Sequence, residues 1–319
     1  MKQFKKIIVT TTINKPSLAV LKFAAMRDWG MIIVGDKKTP HEDYRSLSKK
    51  FQDKVVYLSP KDQELKYPEI SNFLGWNTIQ RRNIGFIEAY NSGAEIFATV
   101  DDDNEPYDNW GKNLYIGKET EVDFYHTKNV CFDPVSVTNY PHLWHRGFPS
   151  EDLQTRRQNT FAGKKKITPL VQSDFEDGDP DIDAMCRITN ARPIVKWDVS
   201  TPFACNKFAP FNSQNTFLHR KCMKFYSMIY TYCKSGHRMD DIWGAYLLQY
   251  FMKEFMPFVV FTPPSVYQDR NDHNFVLDLE QEIMGHHKTK KLLSNPILWQ
   301  FTLPKESVEC IELYQSYFK

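Results

Sequence analysis

Three observations predict an α/β fold with a mixed, mostly parallel Rossmann-like sheet flanked by helices. The first hundred residues alternate short apolar runs with helix-periodic stretches, two of these runs end in acidic residues, and a long irregular middle precedes a helical tail. Strands separated by crossover helices imply parallel pairing, because parallel neighbours need a long return connection. "KKIIVTTTI" reads as the first buried strand, and "SLAVLKFAAMRDW" follows with apolar residues at helical spacing behind Pro16 and Ser17. "MIIVGD" and "KVVYL" are the second and third strands. "NTIQRRNIGFIEAYNSG" is a helix with a glycine stop, and "AEIFATV" is a fourth strand ending at Asp101, Asp102 and Asp103. Ligands of such sheets bind at the carboxyl ends of strands, which puts Asp36 and the Asp triplet on the binding edge.

From about Asn109 to Pro210 the chain is rich in aromatics, proline, asparagine and aspartate, with a basic stretch "GKKKI" and an acidic one "SDFEDGDPDIDA". This composition predicts long functional loops rather than a separate core. Beyond it, "HRMDDIWGAYLLQYFMKEF" is a helix with Asp240 and Asp241 at its amino end, "FVVF" a strand, "NFVLDLEQEIMGHH" a helix, and the remainder helical covering. The expectation is one domain over 1–319, with an alternating α/β half (1–108), a loop-rich half (109–285) and a helical extension (286–319).

The chain has 319 residues, 41% hydrophobic content and a formal charge of +2, so it can bury a large core and shows no global field for nucleic acid or a membrane surface. Six scattered cysteines without close CxxC pairs argue against a disulfide scaffold or a structural zinc site and fit a reducing compartment. The apolar run at the amino end is too short for a signal peptide, and "FMPFVVFTPP" is short and broken by prolines. A cytoplasmic protein without a membrane span is expected. The triplet is the sharpest chemical signal. Adjacent carboxylates repel one another and aspartate is a poor strand residue, so local structure gains little from them. Carboxylates at a strand end can hold a hard cation, Mn²⁺ or Mg²⁺, that neutralises a diphosphate. The bland alternative is a solvated acidic cap.

The stretches "IIVTTTINKP", "WGMIIVGDKKTP", "RRNIGFIEAYNSGAEIFATVDDDNEP", "RGFP", "DPDIDA", "PFNSQNT" and "YQDRNDHN" together resemble, in the same serial order, the STELLO-like glycosyltransferase family. "DPDIDA" and "MDDIW" are also similar to the reversibly glycosylated polypeptides, which are UDP-arabinose mutases. The resemblance runs from about Ile7 to Met284 and implies a GT-A fold, a DxD motif and a nucleotide-sugar donor, with a UDP-sugar first. It makes 1–108 the nucleotide-binding half and 109–285 the acceptor and sugar half, and leaves the acceptor open among glycan, protein, lipid and nucleic acid.

Roles follow residue by residue. Thr10, Thr11, Thr12 and Asn14 stand where GT-A enzymes hold the nucleotide, with a strand-to-helix cap as the alternative. Asp36 is a base or ribose contact, beside Lys37 and Lys38, which fit phosphate or a solvated face equally. Of Arg81 and Arg82, the resemblance places one against Asp101 or the diphosphate, Arg82 being the choice, and leaves the other at the surface. Asp101 is assigned to the ribose and to the metal, Asp102 a secondary place, and Asp103 the metal, with His273 as a further ligand and Arg270 as a phosphate clamp. Inverting transfer needs a carboxylate base, and Asp240 and Asp241 compete for it, Asp241 being the choice. Asp181, Asp183, Asn212, Gln214 and Asn215 are sugar or acceptor contacts, while Trp144, His145 and Arg146 form a lid surface or simply pack. The competing functions are a nucleotide-sugar mutase and a non-catalytic nucleotide-sugar-binding module.

Overall fold

The computed structural model describes residues 4–190, 193–229, 238–255, 259–270 and 274–319. Its first third is built as the apolar alternation predicts. Strands β1 (Lys6–Thr12), β2 (Gly30–Gly35), β3 (Val55–Leu58) and β4 (Ile96–Val100) are joined by helices α1 (Leu18–Ala25), α2 (His41–Phe51), α3 (Pro60–Lys66), α4 (Pro68–Leu74) and α5 (Arg82–Asn91). They pair in parallel in the order β3-β2-β1-β4. Both faces are covered, so successive residues of a strand enter different cores. Ile7 and Val9 of β1 pack with Ile84 and Ile87 of α5, whereas Ile8 packs with Val20 and Phe23 of α1. Burial on both faces is what makes these strands read as unbroken apolar runs.

Two local devices set the site's walls. Gly85 of α5 has no room for a side chain, since an added Cβ would stand 2.5 Å from Val9 Cγ1 and 2.8 Å from Val34 Cγ2. The helix therefore sits hard on the sheet, with Arg82 one turn earlier over the ends of β1 and β4. Ser17 caps α1 by accepting from the Val20 amide at 3.1 Å, and its hydroxyl donates to the Asp102 carbonyl.

The rest of the sheet is mixed. Strands β5 (Asn104–Pro106), β6 (Thr120–Thr127), β7 (Asn159–Ile167), β8 (Val171–Gly178), β9 (Phe203–Cys205), β10 (Asn215–His219) and β11 (Val259–Gln268) continue the order as β4-β10-β8-β11-β9-β6-β7, with β5 on β11. Strand β10 runs antiparallel to both β4 and β8. The irregular middle thus supplies four strands, β6 to β9, as well as loops, which corrects the expectation of loops throughout. Acidic and basic residues hid them: β7 carries Lys164 to Lys166 on an exposed edge, and β8 buries Asp174, Glu176 and Asp177 inside hydrogen bonds. Helices α6 (Ala184–Thr189), α7 (Asp240–Phe251), α8 (Phe275–Ser294), α9 (Trp299–Thr302) and α10 (Lys305–Ser316) complete the fold. Among the described residues no helix is long and apolar enough to cross a membrane, and the five described cysteines are free and buried.

Candidate functional site

A cavity of about 350 Å³ opens at the carboxyl ends of β1, β2 and β4, where the chain order of the sheet changes direction. The Thr11–Asn14 segment forms one wall, Asp36 and Lys38 another, and Asp101 to Asp103 the floor. The remaining wall is the turn Asn77–Ile79. Asp36 organises that side: its carboxylate accepts from the Lys37 amide at 2.6 Å and the Thr78 amide at 3.2 Å, so β2 and the entrance to α5 are held together.

The triplet fans out to three partners. Asp101 Oδ1 accepts from Arg82 at 2.6 Å, and Arg82, 1% exposed, also bonds the Thr11 hydroxyl, the Thr99 hydroxyl at 3.2 Å and the Ser213 carbonyl at 2.9 Å. Asp102 Oδ2 accepts from the Thr12 hydroxyl and from Asn14 Nδ2 at 3.2 Å, fixing the loop after β1. Asp103 Oδ1 accepts from Gln268 Nε2 at 3.1 Å. Burial pushes the Asp103 carboxyl up to about 7, with repulsion from Asp101 and Asp102 adding to it against Arg270. Burial raises Asp101 as well, with Arg82 opposing and Asp102 and Asp241 reinforcing. The donor set therefore fits a hard divalent cation: it is all oxygen, and burial and mutual repulsion both work against its negative charge. The three carboxylates do not themselves converge on one point, so an ion here takes one or two of them and completes its shell elsewhere.

A second cavity, of about 220 Å³, adjoins the first and shares Ile79 and Asp101 with it. Arg146 dominates its far wall. Its guanidinium is bidentate to Asp181, at 2.9 and 2.7 Å, and bidentate to Asp241, at 3.0 and 3.1 Å. Gly147, at φ +87°, lets this loop approach α7 so closely that a Cβ would meet Ile242. Asp241 also accepts from the Ser213 amide at 3.0 Å and the Ile242 amide at 2.9 Å. Asp240, beside it at the start of α7, accepts from the Gln80 amide. Ser213 joins the two cavities, since its carbonyl receives Arg82 while its amide donates to Asp241.

The residues singled out from sequence thus separate into two groups. Thr11, Thr12, Asn14, Asp36, Arg82, Asp101, Asp102 and Asp103 line the first cavity, and Asp101, Asp240, Asp241 and Gln214 line the second. Gln214 Oε1 is buried without a hydrogen-bond partner, so it keeps acceptor capacity there. Others stand elsewhere, as corrections. Thr10 is fully buried and lines neither cavity, because its side chain alternates away from Thr11's. Arg81 is not at the surface: it is fully buried, donates to Gln63, Ser71 and Gly75, and stacks on Trp76. Asn215 uses its amide inside the core, accepting from Trp110 Nε1 and donating to Ser265 and β8 carbonyls. Asn212 donates to Glu176 and accepts from the Gln214 amide.

Asp181 is held by arginines rather than turned to a ligand. Burial works to raise its pKa, but Arg146, with Arg270 and Arg238 behind it, holds the carboxyl well below the usual range. Asp183 caps α6, accepting from the Met185 amide at 2.9 Å, and faces α8. Arg270 is buried and reaches the Asp179 carbonyl at 3.4 Å, on the lattice that holds Asp181. His145 is buried in the fold, its Nδ1 on the Arg146 carbonyl. His273 lies outside the described residues. Sequence reading missed Thr78, Ser213, Gln268 and Glu176. Only the Gly75–Asn77 turn, with Asn77 at φ +60°, carried a local signal for the first of them.

Together the parallel half-sheet, the antiparallel β10 beside β4 and the carboxylates at the end of β4 define a Rossmann-like α/β protein with a mixed, mostly parallel sheet. The motif resemblance extends along most of the chain, which is similar to two curated proteins of Arabidopsis thaliana. It is 23% identical over 93% of its length to one named "Probable glycosyltransferase STELLO2" and 24% identical over 83% to "Probable glycosyltransferase STELLO1". These matches take in 40% and 36% of the two relatives, so the chain spans about two-fifths of their length. No family model matches the chain. Among solved structures it is similar, at 10% identity and a TM-score of 0.41, to the M. tuberculosis glucosyl-3-phosphoglycerate synthase, over 94% of this chain and 82% of that one.

Proposed function

We propose that the protein is a metal-dependent glycosyltransferase that moves a sugar from a nucleotide-sugar, a UDP-sugar first, to an acceptor hydroxyl. The observation that carries this reading is the triplet itself: three carboxylates at the end of β4, two with raised pKa, beside a cavity of nucleotide dimensions walled by the loop after β1. The names of the STELLO relatives support the same activity class.

In this reading the first cavity takes the nucleotide. Thr11, Asn14, Asp36 and the Thr78 turn offer hydroxyl, amide and carboxylate groups to base and ribose, and Lys38 offers charge to phosphate. Asp103 and Asp101 would hold Mn²⁺ or Mg²⁺, which supplies neutralisation of the diphosphate leaving group. Arg82 orients Asp101 and, being saturated with partners, acts as a positioning residue. The sugar extends toward the second cavity, where Gln214 accepts from a hydroxyl. For the base, geometry favours Asp240 over Asp241. Both oxygens of Asp241 are engaged by Arg146 and by the Ser213 and Ile242 amides, while Asp240 beside it lines the second cavity. Asp241 then fixes Arg146 and Ser213 around the acceptor, and transfer inverts the anomeric centre.

The test is calorimetric titration with a panel of UDP-, GDP-, CDP- and dTDP-sugars, with and without Mn²⁺, repeated on Asp103→Ala. Manganese-dependent binding of one donor, lost in the variant, is the expected result. Absence of binding to every donor under both conditions overturns the reading. The base assignment is tested separately: Asp240→Asn should abolish transfer while leaving donor affinity intact.

A further inference from the structure

We propose that Asp183, Glu282 and His286 form a divalent-cation site of the zinc type, separate from the carboxylate triplet, that ties α6 to α8. Among the described residues this is the one His/Cys/Asp/Glu grouping whose ligand atoms all lie within 4.8 Å of one another. Glu282 and His286 are four residues apart on α8 and so share one face, one above the other. Asp183 comes from the N-cap of α6, which packs on that face.

Asp183 accepts from the Met185 amide at 2.9 Å and is also hydrogen-bonded by the Cys186 amide and the Trp144 side chain, but its contact with His286 is of another kind. His286 Nε2 is buried without a hydrogen-bond partner and stands 3.6 Å from Asp183 Oδ2. That distance is too long for a hydrogen bond. It matches the separation of two ligand atoms on one ion, since bonds of about 2.0–2.1 Å at tetrahedral angles put them about 3.4 Å apart. Charge points the same way. Asp183 is 1% exposed, and among the described residues no lysine or arginine pairs with it. Glu282 is better compensated, accepting from Arg238 Nε at 2.7 Å and from the Ala184 amide at 2.8 Å. One imidazole and two carboxylates form a mixed nitrogen and oxygen set, which suits Zn²⁺ better than Mg²⁺. Because Glu282 also holds Arg238, an ion here would brace the arginine lattice behind the second cavity.

The experiment uses the full, untagged chain. Wild type and Asp103→Asn, both stripped with chelator, are titrated with ZnCl₂, followed by bound-metal analysis and thermal unfolding. One zinc per chain and an upward Tm shift are expected in Asp103→Asn, and at least as much in wild type, with both lost from the Asp103→Asn protein when His286→Gln or Asp183→Asn, whose asparagine still caps α6, is added. Co²⁺ replacing Zn²⁺ in the Asp103→Asn background provides a second readout that needs no site variant: visible d–d bands of a four- or five-coordinate ion should appear. Zinc uptake that is absent in Asp103→Asn, or unchanged when His286→Gln is added to it, overturns the proposal, as does a featureless Co²⁺ spectrum. None of these results bears on donor binding at the triplet.

Discussion

The two acidic segments of this chain look alike as text and behave as opposites in space. "DDDNEP" follows β4 and crowds its three aspartates at the floor of an open cavity, with Arg82 on Asp101. "DPDIDA" sits behind the second cavity, where Arg146, Arg187, Arg238 and Arg270 answer Asp179 and Asp181. In the proposed function the first takes up a cation, whereas Asp179 and Asp181 of the second have their arginines built in. Aspartate content alone therefore says little; what separates a binding site from a scaffold is whether the compensating charge arrives from the chain or from outside.

The largest effect expected is the breaking of the compensated side. Arg146→Met leaves Asp181 and Asp241 buried without their bidentate partner, which should cost about 3–5 kcal/mol of stability. Urea unfolding monitored by fluorescence checks this, and a loss below about 1 kcal/mol would mean that water reaches the lattice. On the triplet's side, where burial and repulsion raise Asp103, Asp103→Asn should leave the unfolding midpoint close to that of wild type, or raise it, while removing the manganese dependence of donor binding in calorimetry.

An intermediate effect is expected at Glu176, which stands between the two regions. Burial, with repulsion from Asp181, pushes its carboxyl up to about 8 from an ordinary value of 4.5. A raised carboxyl pKa costs nothing below the unfolded value, costs increasingly as pH rises from 4.5, and reaches its full cost above 8. The slope is at most about 1.4 kcal/mol per pH unit. Glu176→Gln should therefore gain Tm relative to wild type at pH 8.5 and little at pH 5; equal gains at both would show that the group is already ionised. The smallest effect belongs to Thr12→Val, which removes one hydrogen bond to Asp102 and should weaken donor binding by about 0.5–1.5 kcal/mol, read as an affinity ratio.

The parallel half of the fold was legible because it is buried on both faces: Ile7 to Val9 and Met31 to Val34 can be little else than inner strands. So were the triplet, Asp36 and the amino end of α7, since strand ends and helix starts are marked locally. Strand β8 was not legible, because "VQSDFEDG" mixes acids into a fully buried strand and their hydrogen-bond partners are remote in sequence. For the same reason Asp181, Asn212 and Asn215 looked like ligand contacts. Their partners Arg146, Glu176 and Trp110 lie dozens of residues away, and nothing in the local spacing announces them.

Ser213 has a mechanical consequence. By receiving Arg82 and the Thr99 hydroxyl on its carbonyl and giving its amide to Asp241, it welds the start of α5 and the end of β4 to the start of α7 at a point where β10 begins. Two cavities welded at their shared wall do not open against each other as a clam shell does. Whatever adaptation accompanies ligand entry then falls to the thin parts of the rim, the Thr11–Asn14 segment and the Gly75–Thr78 turn, and the floor keeps its shape while they move.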